Sequence, residues 1–215
     1  MIKEFEKRLL SSFIIIPIAI FFIIQGSVFF TFFLSILFLA TSYEWLKMIK
    51  KNNLLKILGI IFLFFSFCVA FIIREADSFK PFLFIVIICI STDIGGYIFG
   101  KIFKGPKLTK ISPNKTYAGV IGAFFFVIIF VFFINKYLLN FASEKISFGI
   151  NIFILAILIS IFSQLGDILI SYFKRQAKVK DSGKLIPGHG GLLDRIDGMI
   201  FAFPIFYILN LVFKI

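Results

Sequence analysis

Residues 174–198 read KRQAKVKDSGKLIPGHGGLLDRIDG, and they are the densest run of reactive side chains in a 215-residue chain. They include its only histidine, His189, with Asp181, Asp194, Asp197, Arg175 and Arg195. These types at this density suit the handling of phosphates. Glycines such as Gly190 and Gly191 let backbone N–H groups come close to an anion. Lys174, Arg175, Lys184 and Arg195 can neutralise phosphate oxygens, the arginines bidentately. Carboxylates beside them suit Mg²⁺ shared with a nucleotide. An ordinary basic loop accounts for Lys178 and Lys180. It does not account for Gly188-His189-Gly190-Gly191 followed by Asp194-Arg195-Ile196-Asp197.

Other candidates lie outside this run. Asp93 and Asp167 stand within apolar stretches, where a charge costs about 2.5–3.5 kcal/mol at a span centre and so marks function by default. Asp194 and Asp197 are three apart and share a face if a helix begins there. Asp194 with Asp167 then makes a two-carboxylate metal site, and an ion pair to Arg195 or Lys174 is the competing account. Residues 111–119, ISPNKTYAG, precede another apolar run. Ser112 or Asn114 is expected to cap the helix there, with Lys115 near its N-terminal end, a place that binds phosphate readily. Residues 100–105 lack the order of a P-loop. Glu44-Trp45 reads as an interfacial tryptophan beside a solvated glutamate.

The elements that must position these groups are apolar helices. The chain is 60% hydrophobic, with 34 Phe and only 11 Asp+Glu. That exceeds what a water-soluble domain of this length can bury, and it excludes disorder, a coiled coil and a disulfide scaffold. Cys68 and Cys89 read as small hydrophobes in helices. With a single histidine, no Cys/His zinc site is supported. Apolar runs fall at 9–24, 28–43, 54–73, 82–100, 117–138, 150–173 and 196–213. A span takes about 20 apolar residues. The first two runs are short and flank Gln25-Gly26-Ser27, so they form a tight hairpin or one broken element. The basic, then apolar, N-terminus lacks a cleavage pattern and reads as an uncleaved first span.

The reading is therefore all-α: a polytopic integral membrane protein of about seven transmembrane helices, one domain over residues 1–215, with no soluble domain. Threading seven spans with the N-terminus in the cytoplasm puts every one of the 23 Lys+Arg inside except Arg74, Lys80, Lys136, Lys145 and Lys214. That asymmetry predicts N-in and C-out. It also gives the net charge of +12 a membrane explanation, with no nucleic acid as partner.

The run from Ser171 through Lys174-Arg175, Lys180-Asp181 and Pro187-Gly188-His189-Gly190-Gly191 to Asp194-Arg195-Ile196-Asp197 resembles the signature of phosphatidate cytidylyltransferases (CDP-diacylglycerol synthases). The signature region is 163–198. Three further blocks are similar in the same order: Thr92-Asp93 with Gly95 and Tyr97, Ile111-Ser112-Pro113 with Lys115-Thr116, and Gln164 with Gly166-Asp167. Pro17 and Glu44-Trp45 also fit. Ile170 and Ala118 stand where members of that family commonly carry acidic residues, and Asn114, Tyr117 and Gly198 also differ.

The resemblance implies a CTP-dependent enzyme of the bacterial cytoplasmic membrane, its active site facing the cytoplasm. It transfers CMP from CTP to phosphatidate in the inner leaflet and releases pyrophosphate. It implies Asp167 and Asp194 as ligands of Mg²⁺, a K⁺ alongside, and a homodimer. The catalytic group expected is Asp167, Asp194, Lys174, Arg175, Arg195 and Asp197. Ser112, Lys115, Asp181, Lys184, His189, Gly190, Gly191 and Asp93 are expected to bind substrate phosphates. The alternatives are a related CTP-dependent lipid kinase, which would release CDP, an inactive homologue, or a transporter with Asp93 and Asp167 along an ion path.

Overall fold

The computed structural model describes residues 2–76, 79–109, 112, 115–134, 152–186, 188 and 190–213. Its elements are all helical: α1 (Ile2–Gln25), α2 (Ser27–Met48), α3 (Asn53–Glu75), α4 (Lys80–Phe103), α5 (Tyr117–Phe133), α6 (Ile152–Gln176), α7 (Leu193–Ile196) and α8 (Met199–Phe213). Among the described residues there is no strand, only isolated bridges of Lys107 with Thr116 and Ile186 with Gly190. Among the described residues five segments are long and apolar enough to cross a membrane: α2, α3, α4, α6 and residues Leu193–Phe213. Phe13–Gln25 and Tyr117–Phe133 are shorter apolar helices. Large apolar side chains such as Phe29, Phe32, Ile61 and Phe64 point outward. Lipid solvates such a surface; water would drive it into aggregation.

The chain divides into two units, residues 1–79 with 173–197, and residues 80–172 with 198–215. In the first, α1 and α2 form a hairpin whose turn is Gly26 (φ 66°) and Ser27 (φ 51°). The turn is held from α3. Arg74 donates from Nε to the Ile23 carbonyl (2.9 Å) and from Nη2 to the Ile24 carbonyl (2.8 Å), at the carbonyl-rich end of α1. Glu75 pairs with Arg74 and accepts from the Ser27 N–H (2.9 Å) at the start of α2. A cation thus meets a helix C-terminus and a carboxylate meets a helix N-terminus, as the helix dipoles favour. A Cβ on Gly26 would overlap the Arg74 guanidinium, so the turn needs glycine for space as well as for φ.

Trp45 fixes α2 to α3. Its indole N–H donates to the Leu55 carbonyl (3.2 Å), and Gly59 leaves room for the ring. The ring also meets Phe173 edge-on at 5.1 Å. Trp45 is buried.

In the second unit α4 and α5 lie against each other through glycine. A Cβ on Gly95 would come within 2.7 Å of the Gly122 carbonyl oxygen, and Phe99 covers the space over Gly122. Small residues let helix backbones approach closely where lipid supplies no hydrophobic drive. The Thr92 and Ser160 hydroxyls meet at 2.8 Å between α4 and α6, both buried. Phe82 of α4 stacks on Phe203 of α8 at 4.8 Å.

Candidate active site

The first unit builds the glycine-rich loop and α7 around two carboxylates. Asp194 opens α7. Its Oδ1 accepts from Lys174 Nζ (2.7 Å), near the end of α6. Its Oδ2 accepts from the backbone N–H of Ser182 (2.8 Å) and of Gly191 (3.2 Å). The Asp194 side chain is 8% exposed and that of Lys174 12%. The ion pair with Lys174 foreseen as the competing account is therefore present. The loop closes through a tight turn, in which the Ile186 and Gly190 N–H groups donate to each other's carbonyls. Gly188 and Gly190 there have φ of 77° and 90°, the left-handed region that glycine enters without strain. Both glycine amides, at 190 and 191, are spent inside the loop, so their contribution is to let the chain fold back on Asp194. His189 lies outside the described residues.

The other carboxylate is one that sequence reasoning assigned to the solvent. Glu44 is 1% exposed. Its Oε2 accepts from Ser182 Oγ (2.9 Å) and from the Leu193 N–H (2.9 Å), and its Oε1 from the Leu192 N–H (3.0 Å). The expectation of an interfacial Trp45 beside a solvated Glu44 is thus corrected for both residues. Three donors, 138 to 149 residues along the chain, compensate the carboxylate for lost water. The signals in the sequence were an acidic residue closing an apolar run and the fit of Glu44-Trp45 to the resembled family; its partners are too distant in sequence for spacing to reveal them.

Around this core, Arg175, Asp181, Lys184 and Arg195 are exposed. Asp197 lies in the turn between α7 and α8. Arg175 donates to the Val179 carbonyl at 3.4 Å, and Lys174 is committed to Asp194.

The second unit carries Asp93, Ser112, Lys115 and Asp167. Lys115 Nζ pairs with Asp167 Oδ2 at 2.5 Å and donates to the Gln164 carbonyl at 3.2 Å. The Ser171 hydroxyl lies 3.4 Å from Asp167 Oδ1. The Asp167 side chain is 29% exposed, so it keeps a wet face. Ser112 supports the turn, its carbonyl accepting from the Lys115 N–H (3.1 Å). The cap of α5 is neither Ser112 nor Asn114: Thr116 Oγ1 accepts from the Gly119 N–H (3.1 Å). Thr116 immediately precedes the helix, as an N-cap must, and Ser112 is too far upstream; Asn114 lies outside the described residues. Asp93 is exposed on α4. Ile170, where an acidic residue was noted as common, is buried at 3% exposure.

The donor chemistry fits Mg²⁺ of one kind only. Among the described residues no group of three or more His, Cys, Asp or Glu could hold a metal. Mg²⁺ typically takes one or two carboxylates and completes its shell with water and substrate phosphates. Asp194 in the first unit and Asp167 in the second are each a single carboxylate, the kind of donor that Mg²⁺ takes alongside water and phosphate oxygens.

Residues 51–213 match the Cytidylyltransferase family. A phosphatidate cytidylyltransferase of Rickettsia conorii is 31% identical over 224 residues, covering 98% of this chain and 95% of the relative. Those of Brucella melitensis and Staphylococcus haemolyticus are 39% and 40% identical, each over 65% of this chain. The chain spans about half the length of these last two, 50% and 52%. The family match takes in the Lys174–Asp197 loop, Lys115 and Asp167, and the Rickettsia relative extends the likeness to Glu44 and the first hairpin; the chain belongs to the cytidylyltransferase family.

Proposed function

We propose that this chain transfers CMP from CTP to phosphatidate. The phosphate monoester oxygen of the lipid attacks the α-phosphorus of CTP, the bond from that phosphorus to the β-phosphate oxygen breaks, and pyrophosphate leaves with the electron pair. The products are CDP-diacylglycerol and pyrophosphate. The attacking oxygen is already anionic, so no strong general base is required. The barrier lies in bringing anions together and in the charge on the leaving group, and catalysis rests on positioning and electrostatics.

The observation that carries this reading is the Asp194 loop. The residues of the signature run are the ones whose side chains and amides converge in the first unit, with Lys174, Ser182 and Gly191 on Asp194. Arg175, Lys184 and Arg195 neutralise the triphosphate and then the pyrophosphate. His189 donates a hydrogen bond. Lys115 holds the lipid phosphate, with Asp167 beside it and Ser112 shaping its turn. Mg²⁺ bound by Asp167 and Asp194 would supply charge neutralisation at phosphate oxygens. The enzyme sits in the cytoplasmic membrane, N-in and C-out, and takes CTP from the cytoplasm.

The deciding experiment supplies purified protein with labelled CTP and phosphatidate, with and without Mg²⁺. Labelled CDP-diacylglycerol and pyrophosphate in equal amounts are expected. Release of CDP with a phosphorylated lipid would overturn the reading in favour of a kinase, and no turnover would favour an inactive homologue.

A further inference from the structure

We propose that Glu44 is a positioning residue for CMP transfer: from α2 it sets the place of Asp194 through Ser182 and the start of α7. The inference rests on the reading of the Asp194 loop as catalytic. Besides the ion pair with Lys174, Asp194 is oriented from two stretches of backbone, and both end on Glu44. On one side the Ser182 N–H donates to Asp194 while its hydroxyl donates to Glu44. On the other, Leu192 and Leu193, the two residues before Asp194, give their N–H groups to the Glu44 carboxylate. A single side chain of α2 therefore determines where the loop returns and where α7 begins.

The glycines carry the same message independently. A Cβ on Gly183 or on Gly191 would fall upon the Glu44 carboxylate, and at Gly191 also upon the Ser182 hydroxyl. Two glycines of the loop are thus needed because the backbone must close on Glu44. The chemistry is a costly one for mere packing. A carboxylate at 1% exposure is desolvated, and apolar residues of similar volume often hold a fold as well as a buried ionic group does. What a carboxylate adds is direction: it fixes three donors at once, and with them the backbone around Asp194.

The test uses the full chain in phosphatidate-containing bilayer discs. Glu44→Gln keeps the shape but loses an acceptor, and kcat is expected to fall about a hundredfold, the scale of a lost preorganising group. KM for phosphatidate should stay within about threefold, since Glu44 is 1% exposed and enclosed by its donors. Glu44→Asp, which keeps the charge, should recover about a tenth of the wild-type rate. Ser182→Ala should cost about tenfold, and combined with Glu44→Gln it should add nothing, because both remove the same brace. A readout apart from turnover is trypsin cleavage after Lys184, expected about tenfold faster in Glu44→Gln than in wild type as the loop loosens.

Wild-type kcat in Glu44→Gln, unchanged cleavage, or additive losses with Ser182→Ala would overturn the proposal. If Glu44→Gln fails to accumulate, Ser182→Ala and Glu44→Asp decide, and full activity in both overturns it. Near-normal turnover in Asp194→Asn would instead sink the reading of the loop as catalytic, while faster cleavage in Glu44→Gln would still establish the brace.

Discussion

Asp194 and Glu44 are both carboxylates in a membrane protein, yet only one announced itself in the sequence. Asp194 stands in a dense polar run, and its neighbours at short spacing marked it as a candidate. Glu44 stands alone, and its donors come from residues far along the chain. Local pattern reveals a residue whose partners are local; it cannot reveal one whose partners are assembled by the fold. The cap of α5 is a different case, because its bond is local: the segment that carries it was located correctly, but the oxygen that bonds belongs to Thr116. At this scale Asp194→Asn is expected to cut CDP-diacylglycerol formation at least a hundredfold, roughly the cost of losing a preorganised charge. It also leaves Lys174 without its partner, so membrane insertion should be checked by accumulation. Asp167→Asn is expected to behave alike. Lys178 is exposed and outside both clusters, so Lys178→Ala should stay within about twofold of wild type, as surface substitutions usually do. Near-normal rates in the aspartate variants would remove the metal assignment.

Helix pairing depends on glycine more than the runs alone revealed. The hydrophobic runs gave the existence of α2, α3, α4 and α6 closely, because an apolar stretch of about 20 residues has few alternatives. They did not give which faces meet. Gly95 and Gly122 pair across α4 and α5 because neither helix presents a side chain at that point. Gly95→Ala inserts a methyl against a carbonyl oxygen that cannot swing away. Overpacking of this kind costs about 1–3 kcal/mol, and thermal unfolding in detergent should fall accordingly. Thr116→Ala removes a cap and should cost about 1 kcal/mol by the same measurement. Gly119→Ala would be a poor control, since its own Cβ approaches the Gly96 carbonyl oxygen at 2.8 Å.

Across the whole chain, composition established the solvent before any element was placed. The seven expected spans correspond to five long apolar helices and two shorter ones, Phe13–Gln25 and Tyr117–Phe133. The shortfall has a physical origin at each. The apolar part of α1 is only the latter half of a helix that begins with charges. Residues 135–151 beyond α5 lie outside those described. The last span, Leu193–Phe213, is counted among the five although α7 ends at Ile196 and α8 begins at Met199. Orientation rests on the basic residues. With Cys68 and Cys89 replaced, a cysteine at Lys178 should react with a membrane-impermeant maleimide only when the cytoplasmic face is open, and one at Ala76 only from the other side. The reverse pattern would invert the topology.

Order of synthesis gives the Glu44 contacts a further consequence. Glu44 leaves the ribosome 138 residues before Ser182. At 5–20 residues per second that is a delay of roughly 7 to 28 seconds. Through it, the carboxylate has none of the donors that later enclose it, and bare charge does not settle into hydrocarbon. The end of α2 that carries Glu44 must therefore stay hydrated while four more helices are made. The loop can close on Glu44 only once Leu193 has been made, so a ribosome-bound chain stopped short of that residue would carry its earlier helices without the brace.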